Sequence, residues 1–265
     1  MRRVDGYQLL QQPALLSKSI NPTNLGAPSM KRLSIFCLLL LPGLAFADGQ
    51  YEINQLCVAN GCFEGDSPGF PVVISSPGSY RLTSNIVVGD SWTNIDGIQI
   101  SASNVSLDLN GFAIEGPVEC TGITPTCSTS NAKHGIRITT GSDAFRNIKI
   151  SNGTIKGFDL NCIDLFAIPF ELIDLRISEC GRHGILAAFP GRIDRVNVSN
   201  NGEAGIFASV STRISNSFFF NNGNPGVEQG TCIGNVFEAN GSAQSGTEED
   251  CFVLLENNAC GSNLC

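Results

Sequence analysis

The stretch RHGILAAFPGRIDRVNVSNNGEAGIFASVSTRISNSFFFNNGNPGV, residues 182–227, contains the pattern that decides the fold. A glycine followed by a branched aliphatic residue occurs at Gly184, Gly205 and Gly226, that is, every 21 residues. Between these anchors lie a short segment of alternating apolar residues and a polar turn that ends in Asn-Gly or a similar pair. A period near 20 residues built from short strands is typical of a parallel β-solenoid in which each repeat forms one coil.

The same anchor extends the repeat toward the N-terminus, at Gly97, Gly135 and Cys162. A single coil cannot bury its inward side chains, but coils stacked about 4.8 Å apart can form a shared core. The residues that follow the anchors are therefore expected to form one interior file: Ile98, Ile136, Ile163, Ile185 and Ile206. No segment sustains a helical apolar period over three turns, so the sequence predicts an all-β fold.

Four segments are predicted along the chain. Residues 1–47 form a leader, in which a signal peptide over residues 30–47 ends at a small-residue cleavage site, and residues 1–29 lie upstream of the true start. Residues 48–93 form an N-terminal cap with the first strands, residues 94–241 form the coils, and residues 242–265 form a disulfide-bonded C-terminal cap. We therefore expect a secreted or periplasmic protein, and the apolar run of the leader is too short to span a membrane.

The charge balance limits the possible partners. The chain has 265 residues, of which 15% are charged, and its net charge is −8. Removing residues 1–47 takes away five of the 16 basic residues and one of the 24 acidic residues, which leaves a net charge of −12. Binding to nucleic acid depends on basic patches that neutralise phosphates, so we expect no nucleic-acid partner.

Ten cysteines remain after the leader, an even number that favours disulfides in an exported chain. Closeness in sequence favours the local pairs Cys57–Cys62, Cys120–Cys127 and Cys260–Cys265, which leaves the pairs Cys162–Cys180 and Cys232–Cys251. A zinc site is the alternative. The chain has no Cys-x-x-Cys motif and no histidine next to a cysteine pair, so no metal site is predicted.

Three short motifs resemble those of a known family: residues 61–66, GCFEGD, residues 77–86, PGSYRLTSNI, and residues 107–112, LDLNGF. Together with the coil pattern of residues 97–241, they resemble exported bacterial members, of unassigned activity, of the right-handed parallel β-helix repeat proteins in the pectin-lyase-like superfamily. The resemblance implies a right-handed parallel β-helix with a cap at each end. Because this superfamily contains pectate lyases, polygalacturonases and non-enzymatic surface proteins, the fold alone does not determine the chemistry.

Polygalacturonases of this superfamily use clustered carboxylates and a histidine on neighbouring coils. The residues 94–97, NIDG, and 182–184, RHG, resemble two of their motif positions. The adjacent acid pair expected shortly after the first motif is absent, because residues 114–117 read IEGP. The sequence therefore offers no evident pair of catalytic carboxylates.

Pectate lyases require bound calcium and a basic residue that removes a proton beside the uronate carboxylate. Asp159 and Asp164 could combine with Arg137 or Lys156 in such a site, and calcium is the one cofactor that a lyase would imply. Arg137 and Asp164 occupy the same outward position on successive coils, however. A surface salt bridge worth about 0–1 kcal/mol is therefore the simpler expectation.

The residues immediately before the first four anchors form a predicted polar column: Asp96, His134, Asn161 and His183. In a stack of coils they would lie beside Gln99, Arg137 and Asp164, with the two histidines about 9.6 Å apart. The catalytic candidates are His134, His183, Arg137 and Asp164, and the ligand-binding candidates are Asp96, Asn161, Gln99 and Trp92. The alternative is that a turn position before glycine simply prefers polar, solvated residues.

Exposed aromatic rings are a second device for binding glycans, because sugar faces stack on them. Trp92, in the loop before the first coil, is the candidate, whereas Phe207 and Phe219 are expected to serve core packing or ring stacking. Two functions therefore stay open. The protein either binds, and in one version cleaves, a polysaccharide or cell-surface glycan along a lateral face, or it is a non-catalytic structural or adhesive β-solenoid.

Overall fold

The computed structural model describes residues 49–89, 91, 94–138, 146–167, 169–241, 251, 253–254, 258–260 and 263–264. The regular secondary structure of this part of the chain consists almost entirely of short strands, as the alternation of branched apolar and polar residues predicts. One helix, α1 (Gln55–Val58), belongs to the N-terminal region. The strands are β1 (Gln50–Ile53), β2 (Val72–Ile74), β3 (Gly78–Leu82), β4 (Ile86–Val87), β5 (Ile98–Ile100), β6 (Val105–Asp108), β7 (Ala113–Glu115), β8 (Cys120–Thr121), β9 (Thr126–Cys127), β10 (Ile136–Ile138), β11 (Ile148–Lys156), β12 (Ile163–Leu165), β13 (Phe170–Ser178), β14 (Ile185–Ala187), β15 (Arg192–Asp194), β16 (Asn197–Ser199), β17 (Ile206–Ala208), β18 (Arg213–Ser215), β19 (Phe218–Phe220), β20 (Val227–Glu228), β21 (Thr231–Ile233), β22 (Val236–Glu238), β23 (Val253–Leu254), β24 (Ala259–Cys260) and β25 (Asn263–Leu264).

The strands form a parallel β-helix. Seven of them make a front sheet in the order β2-β5-β10-β12-β14-β17-β20, and sixteen make a back sheet. Every pairing within the front sheet is parallel, and its register aligns Ile98, Ile136, Ile163, Ile185 and Ile206, all fully buried. The predicted interior file is therefore confirmed, and with it the parallel β-helix that the family resemblance implied.

The back sheet bends along a column of residues with left-handed backbone conformation. Asn152, Asp174, Arg195 and Asn216 occupy this bend with φ between 52° and 62°. Asn and Asp tolerate this conformation well, whereas for Arg it is unusual. The bend lies inside the nine-residue strands β11 and β13, and in later coils it separates β15 from β16 and β18 from β19.

Asparagine side chains also link the coils in the interior. The buried residues Asn201, Asn222 and Asn240 are stacked on successive coils. The amide nitrogen of Asn201 donates to Oδ1 of Asn222 at 2.9 Å, and that of Asn222 donates to Oδ1 of Asn240 at 2.8 Å. These bonds join the asparagines of successive coils. Phe219 packs in the core against Phe237, with ring centroids 5.0 Å apart.

Four of the predicted disulfides are confirmed: Cys57–Cys62, Cys120–Cys127, Cys162–Cys180 and Cys232–Cys251. The predicted Cys260–Cys265 pair falls outside the described residues, because Cys265 is not among them. The Cys120–Cys127 bridge closes an antiparallel hairpin, β8–β9, within the outward loop expected between the first two coils. In the described part of the chain, no helix has the length and apolar character needed to cross a membrane.

Candidate functional site

The predicted polar column exists at the N-terminal ends of the front-sheet strands. Its side chains bond to the backbone of the neighbouring coils: Oδ1 of Asp96 accepts from the backbone nitrogen of His134 at 3.2 Å. In the same way, Oδ1 of Asn161 accepts from the backbone nitrogen of His183 at 3.2 Å. The carboxylate and the amide thus fix the coil register, and His134 and His183 lie two coils apart, as predicted.

The column is buried, contrary to the simpler expectation of solvated turn residues. The exposed fraction is 9% for Asp96, 6% for His134 and 3% for Asn161. Asp164, beside the column on β12, is only 7% exposed. Above these groups lie exposed cations, since the side chains of Arg137 and Arg182 are about half exposed. The face therefore consists of a buried titratable layer beneath charged side chains that reach solvent.

The ion pairs differ from the expected one. Arg137 and Asp164 are register neighbours on β10 and β12, as predicted. The guanidinium of Arg137 instead lies 3.8 Å from Oδ2 of Asp96, and Oδ2 of Asp164 lies 3.5 Å from Nε2 of His134. The expected Arg137–Asp164 surface salt bridge is thus wrong. The short Asp164 side chain lies beside the buried His134 imidazole, whereas the longer Arg137 side chain extends diagonally to Asp96 on the preceding coil.

A second cluster surrounds His183. Its Nε2 lies 3.1 Å from Oε2 of Glu203, and Nε of Arg182 lies 3.4 Å from Oε1 of the same carboxylate. The ring of Phe207, half-buried on the outer face, lies 5.4 Å from the imidazole centroid. Sequence reasoning missed Glu203 and Arg182, although their separation of 21 residues is one full coil and could have indicated the pair.

Burial changes the protonation of these groups. It raises the pKa of Asp96 and of Asp164; the nearby Arg137 opposes both shifts, and the Asp96 carboxylate adds to the shift of Asp164. Burial, assisted by Arg137, lowers the pKa of His134 to about 4. It also lowers the pKa of His183, which the charge of Glu203 opposes. Both imidazoles are therefore neutral at neutral pH, and His134 lies next to the Asp164 carboxyl group, which holds its proton more tightly than usual.

Within the described residues, three buried polar atoms of this face make no hydrogen bond of standard geometry: Nδ1 of His134, Nδ1 of His183 and Oδ1 of Asp164. Weaker backbone contacts remain, from Asn161 to the His134 imidazole and from Ala204 to the His183 imidazole. Leaving a buried donor or acceptor without a partner costs about 1–3 kcal/mol. Native proteins contain few such atoms, and a group of them in one place calls for an explanation. Their grouping marks this face as the candidate functional site.

The remaining sequence candidates have different positions. Gln99 is half-buried on the front sheet, in register with Arg137. Asn161 bonds to the backbone as described, and Trp92 lies outside the described residues. The residues do not fit a calcium site: Asp159 pairs with Lys133 at 3.9 Å, Asp164 pairs with His134, and the described ranges contain no group of three His, Cys, Asp or Glu side chains that could hold a metal ion.

Comparisons with known proteins add little to this geometry. No family model matches the chain, and no curated protein matches it. Among solved structures, it is similar to the enzymatically active domain of tailspike protein 2 of bacteriophage CBA120, with 16% sequence identity and a TM-score of 0.44. The alignment covers 71% of this chain and 36% of the tailspike chain, so the protein spans about a third of that structure.

Proposed function

We propose that the protein binds a polysaccharide along the outer face of the front sheet, over the polar column. The observation that carries this proposal is the set of buried atoms on His134, His183 and Asp164 that make no hydrogen bond of standard geometry within the described residues. Sugar hydroxyls both donate and accept hydrogen bonds, so a glycan that displaces the overlying Arg137 and Arg182 side chains could satisfy all three atoms. The energy gained would favour the bound state.

The surroundings of the column also suit a glycan. Successive coils repeat every 4.8 Å or so, which presents similar side chains along a line and matches an extended, repeating ligand. Phe207 at one end offers a ring face for sugar stacking, and Gln99 and Arg137 at the other end offer hydrogen-bond donors. Protein sites for small ligands commonly combine an apolar surface with a few converging polar groups.

Affinity electrophoresis against a panel of neutral and acidic polysaccharides tests this proposal. We expect retardation by at least one polysaccharide, and binding at least tenfold weaker in His134→Ala and His183→Ala. Arg81→Ala is the matched control, because Arg81 lies on β3 of the back sheet, away from the polar column. Binding that is unchanged in both histidine variants, or equally weakened in the control, would refute the assignment to this face.

One observation favours cleavage as a second function. Asp96 and Asp164, from different coils, lie in the same buried cluster around His134 and Arg137, although the sequence shows no adjacent acid pair. Inverting glycoside hydrolysis needs one protonated carboxyl group and one carboxylate that activates water. Burial raises the pKa of both carboxyl groups, so we assign the roles from their contacts: the acid is Asp164, which lies beside the neutral His134, and the base is Asp96, which lies 3.8 Å from the Arg137 guanidinium.

Product analysis tests the cleavage step. Hydrolysis releases reducing ends without absorbance at 235 nm, whereas a lyase produces unsaturated ends that absorb there. We expect Asp164→Asn to abolish the release of reducing ends and Asp159→Asn, outside the cluster, to retain it. Assays with added calcium and with a chelator separate a calcium-dependent lyase. If a bound polysaccharide yields no product of either kind, the protein is the non-catalytic β-solenoid of the alternative hypothesis.

The four disulfides fit a protein of an oxidising compartment, either the periplasm or the extracellular space. We attribute its export to the signal peptide predicted over residues 30–47. Mass spectrometry of the protein recovered from the producing cells should then give an N-terminus at Asp48. A mature chain that retains residues 30–47 would contradict this attribution.

A further inference from the structure

Some basic residues of this acidic protein form ion pairs with carboxylates, and others do not. Of the eleven Lys and Arg residues between residues 48 and 265, seven form ion pairs with Asp or Glu: Arg81, Lys133, Arg137, Lys156, Arg182, Arg192 and Arg195. The other four have no salt bridge among the described residues: Arg146, Lys149, Arg176 and Arg213. All four are exposed, and all lie on or next to strands of the back sheet.

Strand register places these cations close together. Lys149, Glu171, Arg192 and Arg213 are successive partners across β11, β13, β15 and β18, so they form one outward file. Arg176 projects from β13 beyond the bend of the back sheet. We call this surface the basic face; it comprises Arg146, Lys149, Arg176, Arg192, Arg195 and Arg213.

The carboxylates on the basic face are mostly neutralised by internal bonds. Asp194 is buried, accepts hydrogen bonds from Oγ of Ser215 at 2.7 Å and Nδ2 of Asn216 at 2.9 Å, and pairs with Arg192 and Arg195. Asp174 receives two bonds from the Arg195 guanidinium, at 2.7 and 2.8 Å. Six cations thus face three carboxylates, the third being Glu171, and excess positive charge remains at the surface.

Two grooves run beside this charge. One, of about 630 Å³, is lined among others by Arg176, Asn197, Phe218 and the paired Asp174 and Arg195, and the other, of about 350 Å³, is lined by Lys149, Glu171 and Arg192 among others. The Phe218 ring is half-buried and nearly parallel to the exposed Phe220 ring, with an interplanar angle of 10°. The larger groove therefore combines guanidinium groups, an amide and an aromatic ring.

From this arrangement we infer that the basic face binds an anionic glycan that carries sulfate or phosphate groups. Guanidinium groups bind such oxyanions through paired hydrogen bonds, and an aromatic ring in the same groove can stack on a sugar. The net charge of −12 on residues 48–265 opposes long polyanions such as nucleic acid more than short oligosaccharides that fit within the basic face. The inference shares no residue with the polar column and does not depend on the function proposed there.

Fluorescence anisotropy with a labelled heparin octasaccharide tests this inference on the full chain at 50 mM salt, with an unsulfated oligosaccharide of the same length as the comparison. We expect the sulfated probe alone to bind, and Arg176→Gln/Arg213→Gln to weaken that binding about 25-fold, since each cation near an anionic surface contributes about fivefold. Arg81→Gln/Lys156→Gln is the matched control: it removes the same charge from residues outside the basic face and should change affinity less than threefold.

Hydrogen exchange on the wild-type protein, with and without the probe, gives a second test that does not require any variant to fold. The sulfated probe should protect residues 174–178, 192–197 and 213–220 of the back sheet and leave residues 134–138 of the front sheet unchanged. The inference is overturned if the sulfated probe does not bind, if both double variants weaken it equally, or if protection appears on the front sheet. A single-stranded DNA of equal charge that binds as tightly would refute the assignment to a glycan.

Discussion

Substitution of Asn222 by alanine is expected to destabilise the coil stack more than any surface change. The Asn222 side chain makes four hydrogen bonds, with the backbone nitrogen of Asn201 at 3.3 Å, the amide of Asn201 at 2.9 Å, the carbonyl of Val198 at 3.1 Å and Oδ1 of Asn240 at 2.8 Å. A buried hydrogen bond contributes about 1 kcal/mol net. Loss of all four therefore predicts a decrease of about 4 kcal/mol in the free energy of unfolding.

Equilibrium urea denaturation, followed by far-UV circular dichroism, measures this loss. Asn224→Ala is the matched control, because Asn224 is exposed in the same turn and no side-chain hydrogen bond is seen for it in the described residues. We expect the control to lie within about 0.5 kcal/mol of the wild type. A loss below 1 kcal/mol in Asn222→Ala, or an equal loss in the control, would show that the amide stack is not a source of stability.

Three further predictions concern pH, backbone packing and disulfides. Folding lowers the pKa of His134 from 6.5 to about 4, so the unfolded chain binds a proton that the folded chain does not, and the free energy of unfolding falls as the pH drops from 6.5 to 4. Over this range the wild type should lose roughly 3 kcal/mol more than His134→Gln in urea titrations. An equal pH dependence of the free energy of unfolding in the two proteins would contradict the lowered pKa. A Cβ atom at Gly205 would lie 2.5 Å from the Gly226 carbonyl oxygen, so Gly205→Ala should cost at least 2 kcal/mol by the same assay, whereas Gly89→Ala, where the space is open, should cost almost nothing. Removal of the Cys162–Cys180 bridge by a double serine substitution should cost about 3 kcal/mol and removal of Cys57–Cys62 about 2 kcal/mol, because a bridge that closes a longer loop restricts the unfolded chain more, and the two pairs are 18 and 5 residues apart. Calorimetry that finds the reverse order would rule out this chain-entropy explanation.

The fold could be predicted from the sequence because its determinants are periodic. The 21-residue spacing of glycine and isoleucine fixes the register, and register alone places Ile185 above Ile163 and Arg137 beside Asp164. The disulfides Cys57–Cys62 and Cys120–Cys127 could be predicted because their cysteines lie close together in the sequence. These features depend on position along the chain, which a sequence displays directly.

The side-chain contacts of the candidate site could not be predicted in the same way. Arg137 can reach several carboxylates, and its choice of Asp96 depends on rotamers and burial that no spacing encodes. Burial of His134 depends on what covers it, which a repeat pattern does not specify. The left-handed conformation of Arg195, at a bend where other coils have asparagine or aspartate, is likewise held by side-chain contacts, with Asp174 and the buried Asp194.

The hairpin β8–β9 changes how the stack should respond to force. In a simple solenoid each coil touches only the coils beside it, so a pulled end can peel away turn by turn. Here the carbonyl of Gly122, near the hairpin tip, accepts a hydrogen bond from Asn221, 99 residues further along the chain, and the Cys127 sulfur packs against Gly202. The hairpin thus bridges several coils. Peeling from the C-terminus must break its contacts on reaching Asn221, and a single-molecule extension trace should pause near that residue.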